Sequence, residues 1–285
     1  MKYGVIDVGS NSVRLLISEN GKSLKKLINT TRLAEGKKDG LLLEQSSLRT
    51  LKAIKGFVGL ARENGADKIY VFATAAVRNA KNGKDFAAAV KKECGYDLDV
   101  VSGDTEAEIG VIGALKGKDG AVLDIGGGST EIAVIKDSKC VYTKSIPIGA
   151  VVLTEKFGQN AEKILEYAKN AVKDFGDVPK AEFYCIGGTC TSLAAVSLKL
   201  AEYDPERVDG YKFTQDTLFA LASRISGLSV EERKGLAGLQ KERADIIHAG
   251  ACIFRAVAEY VGAKTFTVSE SDNLEGYLAY ITEKK

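Results

Sequence analysis

Two strand–turn–strand segments of the same pattern, 117 positions apart, constrain this chain more than anything else in it. The first reads Gly4-Val5-Ile6-Asp7-Val8-Gly9-Ser10-Asn11-Ser12-Val13-Arg14-Leu15-Leu16-Ile17; the second reads Ala121-Val122-Leu123-Asp124-Ile125-Gly126-Gly127-Gly128-Ser129-Thr130-Glu131. Sliding the first by 117 lays Asp7 on Asp124, Gly9 on Gly126, Ser12 on Ser129 and Arg14 on Glu131. In each, an apolar run ends in an acid and then breaks into small residues. Three glycines in succession strip Cβ from the turn, so its N–H groups can press against a bulky anion. The acid at the strand end is a hard oxygen donor suited to a cation such as Mg²⁺. A single copy also fits a glycine-rich hairpin with no ligand. Two copies at this spacing indicate a duplicated domain rather than a short-repeat array. Two such hairpins facing one another would form a cleft with an acid on each side.

The rest of the pattern fits that duplication. Strands are expected at 3–7, 13–18 and 24–30, then an amphipathic helix at 46–63, a strand at 68–74 and a short helix holding Arg78. A helix at 84–94, a strand at 98–101 and a helix at 105–116 close the first half, with Ser102-Gly103-Asp104 as its capping chemistry. The polar stretch at 116–120 is the expected break between lobes 1–117 and 118–285. Strands at 121–125, 130–136 and 139–146 repeat the opening. Helices follow at 151–157 and 161–174, then a strand at 183–186 and helices at 190–199, 214–226, 230–236 and 243–261. A strand at 265–268 and a helix at 272–282, which can pack back on the first lobe, end the chain. The fold class is α/β with mixed sheets in two similar lobes.

Bulk properties exclude several classes. A net charge of +2 over 285 residues gives no case for a nucleic-acid binder. Asp7 and Arg14 interrupt the one early apolar run, so no membrane span or secretory leader is expected there. The five cysteines are odd in number and form no C-x-x-C pair, which reads as buried reduced thiols in a cytoplasmic protein. The single histidine, His248, sits in an apolar helical stretch and reads as structural. A histidine-based metal site or a Ser-His-Asp triad would have to be built on it alone.

Four places carry candidate chemistry. Glu106, in the first turn of its helix, is either a complement to the helix dipole or a carboxylate able to take a proton from water. Glu131 either lines the surface of its strand or shares a face with Asp124. Arg14 and Arg78 have forks that bind phosphate oxygens in pairs, although a snorkelling arginine is an alternative for Arg78. Gly187-Gly188-Thr189 opens a helix where N–H groups can meet an anion, or is a plain strand–helix turn. Lys37, Lys38, Lys91, Lys92, Lys284 and Lys285 read as solvated charge.

Taken together and in order, these segments resemble the exopolyphosphatase / guanosine pentaphosphate phosphohydrolase family. The matching stretches include Asp7–Ser12 with Arg14, Arg32-Leu33-Ala34-Glu35-Gly36, Ala73–Arg78, Ser102–Ala107, Asp124–Glu131, 146–151, Gly187–Thr189 and 242–247. The resemblance implies two ribonuclease-H-like lobes of the acetate-kinase/actin-like superfold with an interdomain cleft. It implies release of terminal phosphate from linear polyphosphate, or of the γ-phosphate from guanosine pentaphosphate, with Mg²⁺ or alternatively Mn²⁺. By motif position Glu106 looks like the catalytic base and Glu131 like the residue that places the attacking water. Asp124, with Asp7, looks like the metal-associated acid. Ser10, Asn11, Ser12, Gly126, Gly127, Gly128 and Ser129 look like the phosphate loops, Arg78 like a phosphate clamp. Three positions depart from the family's pattern: Glu108 and Leu274 stand where arginines are usual, and Ala34 where glycine is. A non-catalytic sensor of guanosine penta- or tetraphosphate and an ATP-dependent kinase with an adenine site around Gly187–Thr189 are the rival functions. No nucleic acid or membrane partner is expected, and a homodimer is left open.

Overall fold

A computed structural model describes residues 1–36 and 39–283; Lys37, Lys38, Lys284 and Lys285 lie outside the described residues. The chain divides into two compact units. One comprises Met1–Glu106 with Asn273–Lys285, the other Ala107–Asp272.

The first unit opens on β1 (Lys2–Val8), β2 (Ser12–Glu19) and β3 (Lys22–Thr30). Helix α1 (Glu44–Glu63) leads to β4 (Lys68–Ala73) and the single turn α2 (Ala75–Arg78). Helix α3 (Gly83–Cys94) and β5 (Leu98–Val100) follow. The sheet order is β3-β2-β1-β4-β5. Asn20 and Gly21 both take positive φ, which gives the tight β2–β3 hairpin the twist its strands need. Helix α1 lies so close on β1 that a methyl on Gly4 would crowd the Ala61 side chain.

Helix α4 (Gly103–Leu115) crosses from the first unit to the second, so the expected break at 117 falls just past its end. The second unit repeats the opening with β6 (Gly120–Ile125), β7 (Thr130–Lys136) and β8 (Lys139–Ile146). Then come α5 (Ala150–Phe157), α6 (Ala161–Ala171), β9 (Phe183–Ile186), α7 (Gly187–Ser197) and α8 (Pro205–Val208). Strand β10 (Lys212–Thr214), α9 (Gln215–Gly227), α10 (Val230–Lys234), α11 (Ile247–Val261) and β11 (Thr265–Val268) complete it. The sheet order is β10-β11-β9-β6-β7-β8. Stripped of β10, it retraces the first sheet strand for strand. The repeat reaches the second turn as well: Asp137 and Ser138, offset by 117 from Asn20 and Gly21, also have positive φ. Lacking glycine, that turn is held by Asp119, whose carboxylate accepts the N–H groups of Asp137 and Ser138 at 2.9 and 3.2 Å.

Four readings of the sequence need correction. The expected helix at 243–261 is a 3₁₀ turn at Lys241–Arg243 followed, after a break, by α11. The helix expected at 190–199 starts three residues earlier, as α7 at Gly187, whose positive φ (+80°) joins strand to helix. Short elements α8 and β10 carry too little periodicity to announce themselves. Four cysteines are buried, but Cys140, on edge strand β8, is exposed. His248 is fully buried, as a structural histidine would be.

Alternation along the strands decides which faces are covered. Leu123, Ile125, Ile132 and Val134 enter the main core of the second unit, where Phe213, Phe254 and Phe266 meet edge to face. Val122, Ala133 and Ile186 face the other way, against Ala107, Val111 and Leu115 of α4. The last helix, α12 (Asn273–Glu283), gives the first sheet its counterpart. The Tyr277 ring stacks on Phe72 with centroids 4.2 Å apart and donates a hydrogen bond to Asp99 Oδ2 at 2.9 Å. Each sheet is thus completed by the helix that ends the other half of the sequence. Tyr277→Ala removes both ring and hydrogen bond, and a loss of about 3 kcal/mol is expected. Chemical denaturation checks this, and Tyr277→Phe, keeping the stack, costs only about 1 kcal/mol.

Candidate active site

The two repeated turns have the same backbone geometry. Gly9 N–H donates to Ser12 O at 3.0 Å, and Gly126 N–H donates to Ser129 O at 3.0 Å. This closes each turn on itself and leaves two amides at its tip. Among the described residues, the N–H groups of Ser10 and Asn11 in the first turn, and of Gly127 and Gly128 in the second, donate to no other group. Partnerless main-chain donors are costly when shielded from water, and neighbouring ones form a nest for an anion. Asn11 adds a side-chain donor: its Nδ2 is buried without a hydrogen-bond partner.

Both turns are braced from behind. Thr31 N–H and Arg32 N–H donate to Asn11 O at 3.0 and 2.7 Å, and Ala34 N–H donates to Ser10 O at 2.9 Å. In the second turn the start of α5 plays that part. Ala150 N–H donates to Gly126 O, while Val151 and Val152 N–H donate to Gly127 O. Gly149 must be glycine here, since a methyl would run into the Gly127–Gly128 peptide. Thr130 Oγ1 fixes the approach by donating to Ile148 O at 2.7 Å.

Charge separates the two copies. In the first hairpin Asp7 is register partner to Arg14; in the second, Asp124 is register partner to Glu131. Arg14 Nε and Nη2 both donate to Asp7 Oδ2, at 2.9 and 2.5 Å, so that pair is neutralised and its fork is turned onto Asp7. The second pair is two carboxylates. Glu131, buried, accepts from Ser145 Oγ at 2.7 Å, its register partner on β8. Asp124 and Glu131 share the sheet face of Val122 and Ala133, the one that α4 covers. Like charges directly opposite on neighbouring strands repel, and a cation between them relieves the repulsion.

Glu106 lies in the first turn of α4. Ser102 caps α4 by accepting Thr105 N–H at 3.1 Å, and Glu106 N–H reaches Ser102 O. Its buried carboxylate accepts from Arg78 Nη1 at 2.7 Å, and the same nitrogen donates to Val101 O at 3.0 Å. Arg78 therefore is not a snorkelling surface side chain. It orients Glu106, at the end of the turn α2.

The third turn is filled more than its sequence suggests. Asp124 Oδ1 lies over Gly187, where a side chain would collide with it. The guanidinium of Arg243 lies on Gly188 in the same way and is itself buried. The Thr189 side chain packs toward Gly250 in the interior, which leaves its main chain for any contact with an anion. Below the turn, burial first, then Cys190 and Asp124, push the Cys185 thiol up, so it stays neutral. Arg243 stands out among residues that the sequence reading passed over; it appeared only inside a matched segment. Its signal was weak, because the contact joins residues 55 positions apart through a 3₁₀ turn.

The residues fit a hard divalent cation at one of the two expected acids. No group of three or more His, Cys, Asp or Glu side chains is placed to cage a metal among the described residues. Mg²⁺ does not need one, since it is held through one or two carboxylates and substrate phosphate oxygens. Asp124 beside Glu131 offers that. Asp7, expected alongside Asp124, has its Oδ2 taken by the guanidinium of Arg14.

The model of the Ppx/GppA phosphatase family matches residues 16–284. The chain is 31% identical to the bifunctional 3-dehydroquinate synthase/phosphatase of Fusobacterium nucleatum, over 98% of this chain but 46% of that protein. It is 30% identical to exopolyphosphatase 2 of Mycobacterium tuberculosis, covering 96% of this chain and 97% of that one. It is 28% identical to the guanosine-5'-triphosphate,3'-diphosphate pyrophosphatase of Photobacterium profundum, covering 99% and 59%. The chain thus spans about half the length of two of these relatives and nearly all of the third. Among solved structures, the PPX-GPPA enzyme of Aquifex aeolicus superposes with a TM-score of 0.80 at 31% identity, covering 98% and 99%. The chain belongs to the Ppx/GppA phosphatase family.

Proposed function

We propose that this protein is an exopolyphosphatase, hydrolysing the terminal phosphoanhydride bond of linear polyphosphate. The observation that carries the reading is the matched pair of turns, each with two main-chain N–H groups lacking a protein acceptor. A chain of phosphates supplies such acceptors at regular intervals. The relative that this chain matches nearly end to end is an exopolyphosphatase, whereas the guanosine-nucleotide enzyme is much longer. No helix of the described residues is long and apolar enough to cross a membrane.

In the proposed reaction, water attacks the terminal phosphorus in line with the bridging oxygen. Glu106, oriented by Arg78, takes the water's proton. Glu131, fixed by Ser145, orients the same water. The P–O bond to the penultimate phosphate breaks, releasing orthophosphate and a chain shorter by one. Glycine N–H groups stabilise charge on the non-bridging oxygens as it redistributes. Mg²⁺, held by Asp124 with Glu131 nearby, would screen the phosphate charge when bound. Arg14 serves this reading through Asp7, as the cation that neutralises it and keeps the first turn receptive to anions.

The rival kinase reading needs a flat site for adenine beside Gly187–Thr189. The Arg243 guanidinium already lies on the face of Gly188, so the space beside that residue is filled. Release of phosphate from guanosine pentaphosphate is the second reading, supported by the 28% identical relative of that chemistry. Phosphate release from short polyphosphate, long polyphosphate and guanosine pentaphosphate, measured side by side, decides between them.

Two variants test the roles. Glu106→Gln is expected to lower phosphate release by about 10²–10⁴-fold while polyphosphate still binds; near-normal turnover would reject Glu106 as the base. Glu131→Arg gives the second hairpin the charge pair of the first. It should abolish the response of activity to added Mg²⁺ and the heat of Mg²⁺ binding in calorimetry. An unchanged Mg²⁺ titration would remove the metal from this carboxylate pair.

A further inference from the structure

Deep in the second unit, Arg233 is 1% exposed and, among the described residues, its hydrogen-bond partners include no acid. Its Nε donates to Ile225 O at 3.0 Å and its Nη2 to Leu228 O at 2.7 Å, tying it to the end of α9. Its Nη1 faces Gln159 Oε1 at 2.7 Å, Ala244 O at 2.9 Å and His248 Nδ1 at 3.2 Å. Every acceptor is neutral. A guanidinium can only donate, so His248 Nδ1 must be the bare nitrogen of the ring. The proton then sits on Nε2, which donates to Gly158 O at 3.1 Å.

An unpaired buried cation is expensive, and five neutral acceptors gathered on one guanidinium mark a built arrangement. What it grips is informative. Ala244 O is the carbonyl next to Arg243, and Gln159 Nε2 holds the following carbonyl, Asp245 O, at 2.9 Å. Helix α11 begins only at Ile247. The stretch that presents the Arg243 guanidinium to Gly188 is therefore held not by regular helix but by isolated turn bonds, such as Ile246 N–H to Arg243 O at 3.1 Å, together with Arg233, Gln159 and His248.

We propose that Arg233 and His248 are positioning residues that hold Arg243 on the Gly188 turn by gripping the main chain at Ala244 and the start of α11. The proposal rests on the phosphate-handling reading of that turn. It requires a neutral imidazole. Burial first, and Arg233 second, push His248 down to about 4, with Asp245 acting in the opposite sense. Cys252 and Asp245 are the other titratable groups facing Arg233. A histidine with a lowered folded value stabilises the protein fully above its ordinary value of 6.5. That contribution is lost as pH falls towards about 4, where a proton on Nδ1 would point at the guanidinium.

Arg233→Lys, Arg243→Ala and the double variant test the coupling, with kcat/KM for phosphate release from polyphosphate as the readout. Each single variant should lose about tenfold to a hundredfold, chiefly through KM for Arg233→Lys. In the Arg243→Ala background, Arg233→Lys should add less than about twofold. Full multiplication of the two losses would overturn the proposal, whereas an inert Arg243→Ala would instead remove Arg243 from the site. Should Arg233→Lys fail to fold, the wild-type protein still decides. His248 is the sole histidine, so its ¹⁵N spectrum is unambiguous. A ring protonated on Nε2 that does not titrate until near pH 4 supports the proposal; an Nδ1–H ring, or titration near 6.5, overturns it.

Discussion

The self-closing bond of each repeated turn, Gly to Ser at 3.0 Å, is the constraint from which the rest follows. By using the glycine N–H, it aims the next two amides away from the sheet ladder and leaves them without an acceptor. Nothing inside a strand would tolerate that, since buried amides are almost always paired. The molecule supports the cost by bracing the turns from behind, with the 31–34 segment in one unit and the start of α5 in the other. Glycine at position 149 is part of the same requirement, because the brace and the turn meet backbone to backbone.

The two turns share one backbone geometry, and an exchange of charge beside them sets the two copies apart. Where the first copy sets Arg14 across from Asp7, the second sets Glu131 across from Asp124. The first pair is self-neutralising and leaves its turn able to meet anions without a cation. The second concentrates negative charge on a covered sheet face, which is stable only with compensation from a proton, a cation or nearby donors. One fold element, used twice, can therefore serve as anion cradle and as carboxylate site without any change of backbone.

Much of this was legible in the sequence because it is written in local pattern. The acid–glycine hairpins, their spacing of 117, and the α/β alternation need only short windows. Ser102 as a cap and His248 as a buried residue were equally plain. What escaped reading depends on contacts between distant residues. The Arg14–Asp7 pair looked like two functional groups, because register, not spacing, makes them partners. The return of α12 to the first sheet was expected, whereas the covering of the second sheet by α4 left no mark at residue 117. Arg243 could not be placed from sequence at all, since its address is a 3₁₀ turn followed by a break, where helical periodicity says nothing.

The two departures from the family's arginines take on physical sense in the fold. Leu274 is 1% exposed in the first turn of α12, so an apolar side chain packs where a guanidinium would have to be paired. Next to it, Glu275 accepts from Ser23 Oγ and Lys26 Nζ, each at 2.8 Å, which ties the helix to the β2–β3 hairpin. That end of α12 is built for docking on its own sheet. Glu108 is exposed on α4, two residues beyond the buried Glu106. Two arginines of this chain are held by protein groups rather than left to swing in solvent: Arg78 by Glu106 and Val101 O in the first unit, and Arg243 against Gly188 in the second. A cation held in place before substrate arrives pays less ordering entropy on binding than a flexible one. If these arginines meet phosphate as proposed, the residues that fix them matter more to binding than further surface lysines would.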